Sequence, residues 1–247
     1  MGIIKTILKS VLNAFFPNRC YGCNAIIPFD EGFCDYCSEE LPKTARDSLC
    51  EICCCPKPKC QCSYHVFHFS GMAAPFYNEN PAKRAMYSLK FNKRLYIADF
   101  FARQMALCVK TRFYDVCFDT VVCVPMPAKR QLKRGYNQSR ELALRIAKIL
   151  NIPFAENALG CDSTKKTQHT VSFKERFQNV KGKYFANFSL SGRTVLLVDD
   201  IKTTGATLNE CAKQLLAAGA DRVYCVTGLV TRYEEKDKLK KVDNYGN

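Results

Sequence analysis

The cysteines in the first quarter of the chain have the spacing of metal ligands. Ten of the sixteen cysteines in this 247-residue chain fall between Cys20 and Cys62. Two Cys-x-x-Cys knuckles can place four sulfurs around one tetrahedral ion, and two such knuckles are formed by Cys20, Cys23, Cys34 and Cys37. A second set of four is expected from Cys50, Cys53, Cys60 and Cys62. Four thiolates leave no free coordination position, so we expect structural zinc, one or two ions per chain.

The ligands of the second metal site stay open in the sequence. Cys60-x-Cys62 is one residue shorter than a knuckle, so a ligand could be replaced by Cys54, Cys55, His65 or His68. The pairing could also be interleaved, with the first knuckle joined to the third, and an iron–sulfur cluster is the competing chemistry. Disulfides belong to oxidising compartments, and the N-terminus lacks the order of regions found in a secretory signal. A cytoplasmic, reducing location and metal binding are therefore expected.

A second set of residues that could carry chemistry lies in V-L-L-V-D-D-I-K-T-T-G-A-T-L (195–208). The apolar run predicts a buried strand ending in Asp199 and Asp200, at the edge where ligands of open α/β sheets bind. The turn into the next helix is formed by Thr203, Thr204, Gly205, Ala206 and Thr207. A helix N-terminus favours an anion, and carboxylates suit sugar hydroxyls or Mg²⁺. The segment predicts a phosphate seat beside an acidic pair, although it lacks the lysine and spacing of a Walker A loop.

Strands and helices alternate along the rest of the chain. Buried strands are predicted from the apolar runs at 119–127, 194–200 and 222–230. Helices are predicted in two stretches around Phe91-Asn92 within 81–109, and at 137–150 and 206–218. This alternation indicates a parallel sheet with right-handed crossover connections.

The net charge of +14 belongs to the part of the chain that follows the cysteines. Residues 1–67 hold seven Lys/Arg and seven Asp/Glu, which leaves 30 basic and 16 acidic residues in 68–247. Residues 81–112 have eight basic residues against one acidic residue, and 129–148 have seven against one. Such imbalance is typical either of solvated helix faces or of a surface for a polyanion such as nucleic acid.

The N-terminal segment has the pattern of a single amphipathic helix. Apolar side chains recur at intervals of three and four residues up to Phe16, and Pro17 ends the pattern. Such a helix could lie on a membrane surface, but we expect it to dock on the protein itself. No apolar run approaches the ~18 residues that are needed to span a bilayer.

Four segments together carry a resemblance to known proteins. V-L-L-V-D-D-I-K-T-T-G-A-T-L closely resembles the phosphoribosyl-pyrophosphate (PRPP) motif of type I phosphoribosyltransferases. More narrowly, the whole chain resembles the ComF/ComFC family, which is associated with DNA uptake in natural competence. Segment 124–143 is similar to that family's R-G-(aromatic)-N-Q element, segment 164–185 resembles its T-x-x-Q…R-x-x-N-V element, and a cysteine module precedes both. Cys60-x-Cys62, where C-x-x-C would be usual, is the one departure.

The resemblance implies the fold class and the division of the chain. The expected fold is α/β, a type I phosphoribosyltransferase-like parallel sheet flanked by helices and preceded by a small cysteine-rich zinc-ribbon module. The expected parts are an amphipathic helix (1–18), a double zinc-binding module (19–66), a phosphoribosyltransferase-like domain (67–232) and a charged tail (233–247). A module of that size needs metal to hold it together, because its apolar core is small.

The resemblance also implies a Mg²⁺-dependent phosphoribosyltransferase that binds PRPP. Asp199 and Asp200 would hold the ribose hydroxyls, directly or through Mg²⁺, and residues 203–207 would take the 5′-phosphate. A bound nucleophile would take the ribose 5-phosphate as pyrophosphate leaves, so no residue of the chain need act as a covalent nucleophile. The residues do not indicate the acceptor, and a base, an amine and a nucleic-acid component all stay open.

On the pyrophosphate side the resemblance implies a loop around Pro125 and three candidate cations, Lys129, Arg130 and Arg134. Segment 164–185 would close over the site as a mobile hood that brings cations and excludes water. The hood contains Arg176, a further catalytic candidate, and three lysines, Lys165, Lys166 and Lys174.

Two other functions fit the same residues. The chain could be a non-catalytic, PRPP-regulated adaptor that handles single-stranded DNA, with Phe91, Tyr96 and Tyr136 stacking on bases. It could also be a nucleobase salvage phosphoribosyltransferase with an added zinc module. Proteins of the competence machinery are possible partners in the first case, and the sequence does not indicate an oligomeric state.

Overall fold

The computed structural model describes residues 17–28, 31–60, 62, 66–162 and 173–232. The predicted N-terminal helix, the charged tail and the first part of the predicted hood lie outside the described residues. Within the described part of the chain, no helix is long and apolar enough to cross a membrane.

A parallel sheet forms the centre of the protein, as predicted. In sheet order its strands are β1 (Gly71–Ala73), β7 (Arg222–Val230), β6 (Thr194–Lys202) and β3 (Thr120–Cys123), and β2 (Phe76–Tyr77) also pairs with β7. Every pair in this sheet is parallel. The three strands predicted from apolar runs are confirmed, whereas β1 and β2 are too short to give a pattern in the sequence. A separate antiparallel pair is formed by β4 (Leu159–Cys161) and β5 (Tyr184–Ala186).

Seven α-helices lie in the described residues. They are α1 (Asp35–Glu39), α2 (Ala82–Phe91), α3 (Ile97–Arg112), α4 (Ala128–Arg134), α5 (Gln138–Leu150), α6 (Phe173–Val180) and α7 (Ala206–Ala217). The predicted helices within 81–109, at 137–150 and at 206–218 are confirmed as α2 and α3, α5, and α7, and α3 continues three residues beyond its predicted end. Helix α4 was not predicted: Pro127 precedes it and Gly135, with φ of 91°, ends it after only two turns.

Helices cover both faces of the sheet, so its strands are apolar throughout. On β6, Leu196 and Val198 face the core that contains α2, α3 and α5. Val195 and Leu197 face the opposite core, which contains α7. Burial on both faces is the reason why parallel strands have continuous apolar runs rather than alternating ones.

The cysteine-rich segment contributes to both of these cores. Cys20, Ile27 and Phe33 pack in the same core as the helices α2, α3 and α5. Leu49 and Cys54 pack in the core on the α7 side. The segment is therefore held to the sheet by apolar contacts as well as by the chain itself.

Candidate functional site

The eight knuckle cysteines come together as two groups of four. The first group is Cys20, Cys23, Cys34 and Cys37, and the second group is Cys50, Cys53, Cys60 and Cys62. Within each group the sulfur atoms all lie within 4.8 Å of one another. The pairing is thus consecutive along the chain, and the interleaved alternative is not what the fold brings together.

The sulfur–sulfur distances within the groups fit one ion each. Zn–S bonds of about 2.3 Å at tetrahedral angles place sulfurs about 3.8 Å apart. Cys23 Sγ lies 3.7 Å from Cys34 Sγ in the first group, and Cys53 Sγ lies 3.8 Å from Cys60 Sγ in the second. These distances far exceed the ~2.05 Å of a disulfide. An iron–sulfur cluster would hold some of the sulfurs farther apart, because its four cysteines are distributed over two or four irons.

Of the residues that could have replaced a ligand in the second group, those that the structure describes make other contacts. Cys54 is fully buried in the apolar core, and Cys55 Sγ lies 2.9 Å from Lys202 Nζ. His68 is exposed, and its backbone N–H donates to Asn209 Oδ1 at 2.6 Å. His65 lies outside the described residues.

The acidic pair lies near the carboxyl end of β6, as predicted. Asp199 Oδ1 accepts hydrogen bonds from Ser139 Oγ at 2.7 Å and from the backbone N–H of Asp200 at 2.9 Å. Asp200 Oδ2 forms an ion pair with Lys90 Nζ at 2.7 Å. The two carboxylates therefore differ: one is held by neutral donors and the other by a cation from α2.

Burial and the charge of Asp200 raise the pKa of Asp199 from 3.8 to about 7. The hydrogen bond from Ser139 favours the ionised form but does not offset these two effects. This raised pKa means that the surroundings of Asp199 poorly compensate its negative charge in the ligand-free protein. A divalent cation or a set of hydroxyl donors would supply the missing compensation for this negative charge.

The loop after β6, residues 203–207, forms the start of α7 and is called the threonine loop below. Gly205 has φ of 85°, which side chains rarely adopt, and it is the N-cap of α7. Thr204 Oγ1 accepts from the N–H of Ala206 at 3.3 Å. Together with Asp199 and Lys202, this loop lines a small hollow. The hollow thus combines a helix N-terminus, threonine hydroxyls and one carboxylate of the acidic pair, Asp199.

The segment R-G-Y-N-Q-S (134–139) connects the acidic pair to its surroundings. Asn137 caps α5 by accepting from the N–H of Ser139 at 3.0 Å, and its Nδ2 donates to the carbonyl of Val124 at 2.9 Å. The Tyr136 hydroxyl donates to the carbonyl of Leu89 near the end of α2. The capping arrangement orients Ser139 towards Asp199, and Tyr136 fixes α2 and hence Lys90.

The predicted cations do not all reach the acidic pair. Arg134 donates to Gln138 Oε1 at 2.6 Å, and burial lowers the pKa of Arg134 while the charge of Asp200 opposes this. Lys129 and Arg130 are exposed on α4. Pro125 is half-buried, two residues after the end of β3.

The predicted hood is described only in part. Among the described residues, no hydrogen bond or ion pair joins Arg176 on α6 to the acidic pair. The hood touches the site elsewhere: Tyr184 on β5 is partly buried and its side chain contacts Thr207, and desolvation raises the pKa of Tyr184. Lys165 and Lys166 lie outside the described residues.

Sequence reasoning missed three residues of the site, namely Lys90, Ser139 and Lys202. Ser139 had a signal, because it follows the R-G-(aromatic)-N-Q element by one position. Lys202 lies between the acidic pair and the first threonine in sequence, but this position does not indicate that its side chain is buried. Lys90 belongs to a helix more than 100 residues from its partner in sequence.

The fold and this site define a class of protein. Residues 118–246 match the family model described as phosphoribosyl transferase domain, which is more than half of the chain. The chain belongs to the phosphoribosyl transferase domain family.

Relatives narrow the assignment. The chain is 29% identical over 213 residues to DNA utilization protein YhgH of Escherichia coli (strain K12), covering 84% of this chain and 88% of that protein. It is 29% identical over 210 residues to competence protein F of Haemophilus influenzae, covering 83% and 86%. Competence protein ComFC of Bacillus subtilis is 33% identical over 100 residues, which cover 40% of this chain and 39% of that protein. The predicted ComF/ComFC membership is confirmed.

Proposed function

We propose that the chain binds PRPP with Mg²⁺ and transfers its ribose 5-phosphate to an acceptor. The observation that carries this proposal is the hollow beside β6, where Asp199 adjoins the threonine loop at the N-terminus of α7. Asp200 is the next residue of the same strand. A sugar phosphate needs these two features side by side, a seat for its phosphate and acceptors for its hydroxyls.

Each part of the site has one expected role in the transfer. The threonine loop would bind the 5′-phosphate through N–H and hydroxyl donors, and the acidic pair would hold the ribose hydroxyls. Mg²⁺ held with Asp199 and Asp200 would neutralise charge on the substrate's pyrophosphate. Arg134, which interacts electrostatically with Asp200, would stabilise the departing pyrophosphate. The bond between the anomeric carbon and the pyrophosphate oxygen breaks, and its electron pair leaves with pyrophosphate. The acceptor supplies the electron pair for the new bond to that carbon.

The two cysteine groups would each hold one structural zinc ion. The sulfur spacing and the set of four cysteine donors in each group support this assignment. Zinc would stabilise a segment that contributes to both apolar cores. The cytoplasmic location, the division into separate domains and the link of this chain to DNA uptake stay predictions.

Calorimetric titration tests the proposed transfer site. PRPP should bind in the presence of Mg²⁺, and the double variant Asp199→Asn/Asp200→Asn should lose at least tenfold in affinity, since about 1.4 kcal/mol suffices for that factor. Asp119→Asn, which changes an exposed carboxylate just before β3, is the control and should bind as the wild type does. Absence of binding by folded, zinc-loaded wild-type protein would contradict the proposal.

A second candidate function, binding of single-stranded nucleic acid, is supported by a separate groove. The groove has a volume of about 540 Å³ and lies between the first cysteine group and α2. Its walls combine cations with exposed rings, and its lining includes Arg84, Tyr87, Phe91 and Arg94. Phe91 is 62% exposed, and the guanidinium of Arg134 lies 5.0 Å from its ring centroid. Rings for stacking beside cations for phosphates are the features that single strands need.

Fluorescence anisotropy with a labelled oligonucleotide tests the groove. Phe91→Ala should weaken binding by about 1–3 kcal/mol through lost stacking. Arg84→Ala should reduce the salt dependence by about one phosphate contact. Lys148→Ala removes the same charge from an exposed position on α5 and should have little effect. Equal losses in the Arg84 and Lys148 variants would show that only net charge matters.

A further inference from the structure

Lys202 is a buried lysine between the threonine loop and the second cysteine group. It is the last residue of β6 and is 2% exposed. Its Nζ lies 2.9 Å from Cys55 Sγ, although the two residues are 147 positions apart in sequence. A single side chain therefore reaches from the loop to the cysteine-rich segment.

The stem of Lys202 lies directly against the threonine loop. A Cβ placed on Gly205 would lie 3.4 Å from Lys202 Cε and 3.3 Å from Phe67 Cε1. These contacts limit the space on that side of Gly205, where the loop turns into α7. The position of Lys202 therefore affects the geometry of the loop N–H groups.

At its other end, Lys202 contacts the segment that forms the second group. Cys55 is 2% exposed and accepts, through its carbonyl, a 2.8 Å hydrogen bond from the N–H of Cys50. The N–H of Cys54 in turn donates to the carbonyl of Cys50 at 2.9 Å. Cys55 is therefore fixed by the same short turn that places two of the four sulfurs.

Burial of an ammonium group is costly unless an opposite charge or a polar partner lies close to it. A Zn²⁺ ion with four thiolates carries a net charge of about −2. A loaded second group would thus place negative charge next to Cys55 and near the Lys202 ammonium. Each charge favours the presence of the other.

We propose that Lys202 is a positioning residue that couples metal loading of the second cysteine group to anion binding at the threonine loop. The inference deepens the proposed function, on which it depends for the identity of the anion. Coupling between two binding sites is reciprocal. Metal in the second group should strengthen anion binding, and the bound anion should strengthen metal binding by the same factor.

The first arm of the test measures zinc affinity without any anion. Lys202→Met keeps a stem of similar length against Gly205 but removes the charge. Competition with a chromophoric chelator should show about tenfold weaker binding of one zinc equivalent, because partners outside the ligand set change metal affinity by ~10–100-fold. Lys213→Met, at an exposed position on α7, is the matched control and should bind zinc as the wild type does. Thermal melting of the zinc-loaded variants checks that both are folded.

The second arm repeats the competition with saturating PRPP and Mg²⁺, or with inorganic phosphate. In the wild type and in Lys213→Met the anion should raise the affinity for one zinc equivalent by about five- to tenfold. In Lys202→Met this increase should disappear.

Equal zinc affinities in the two variants, or PRPP binding that leaves zinc affinity unchanged in the wild type, would overturn the inference. Absence of PRPP binding with a lysine-dependent zinc affinity would contradict the proposed function instead. In that case inorganic phosphate becomes the deciding probe. If phosphate leaves the zinc affinity unchanged, the inferred coupling is overturned as well.

Discussion

Replacement of Asp199 by asparagine should stabilise the ligand-free protein at neutral pH. The side-chain oxygen of asparagine can accept the same two hydrogen bonds, from Ser139 Oγ and from the N–H of Asp200. What it removes is a charge that burial and Asp200 make unfavourable. Such residues are kept for binding rather than for stability, so their loss is expected to exchange function for stability.

The magnitude and its sign follow from the pKa of Asp199. Because the folded-state pKa is raised from 3.8 to about 7, the carboxyl contributes stability at low pH that is lost as the pH rises through this window. The cost of ionisation reaches about 4 kcal/mol above pH 7 and is about 2 kcal/mol near pH 5.5. The advantage of the neutral variant should therefore grow by about 2 kcal/mol between these two pH values.

Urea unfolding at pH 5.5 and pH 8 measures this difference, with zinc present at a fixed free concentration. Asp119→Asn is the control: its carboxylate is exposed and accepts from the N–H of Thr194 at 2.8 Å, a role that asparagine can keep. The control should differ from the wild type by less than about 0.5 kcal/mol at both pH values. An Asp199→Asn variant that is less stable than the wild type, or whose advantage does not change with pH, would refute the reasoning.

Three further predictions concern the loop, the ion pair and the metal. Gly205→Ala should lower the unfolding free energy by about 1–2 kcal/mol and weaken PRPP binding. Its φ is 85°, and an added Cβ would lie 3.3 Å from Phe67 Cε1. Gly192→Ala, at φ of 70° in open space, should cost a similar amount of stability without affecting binding; urea unfolding and calorimetry distinguish the two. Lys90→Met should lower the unfolding free energy by about 1–3 kcal/mol, since it leaves Asp200 without its cation. Cys37→Ser should reduce the zinc content by about one equivalent and lower the melting temperature; unchanged zinc would contradict its assignment as a ligand.

The sequence predicted those parts of the protein whose signals are local. A continuous apolar run followed by two carboxylates and a glycine specifies β6, the acidic pair and the turn into α7, because all of these follow from neighbouring residues. The Cys-x-x-Cys spacing likewise indicates metal ligands, although only the structure shows which knuckles come together. The short strand β1 (Gly71–Ala73) has no such signal, since its three residues are buried only because β7 lies beside them.

The parts that the sequence did not indicate depend on contacts between distant segments. Lys90 pairs with Asp200 because α2 packs over the end of β6, and nothing in A-K-R-A-M-Y-S-L-K-F marks that lysine among its neighbours. Cys55 looked like a spare metal ligand because it follows Cys53, but the fold turns its sulfur towards Lys202. Helix α4 was missed since its two turns, between Pro127 and Gly135, are too short to give a helical pattern.

Helix α2 links the two candidate functions through neighbouring side chains of its last turns, since Lys90 Nζ lies 6.0 Å from the ring centroid of Tyr87. Lys90 contacts Asp200 of the proposed transfer site, whereas Tyr87 and Phe91 line the groove beside the first cysteine group. The ion pair of Lys90 occupies Asp200 Oδ2, one of the oxygens that Mg²⁺ or a ribose hydroxyl would use, so ligand binding at this oxygen competes with the contact to Lys90. Because Lys90 and Phe91 are adjacent, a movement of Lys90 also affects the groove. A basic protein with one site for a sugar phosphate and a neighbouring groove for a single strand can therefore use both without a separate connecting element.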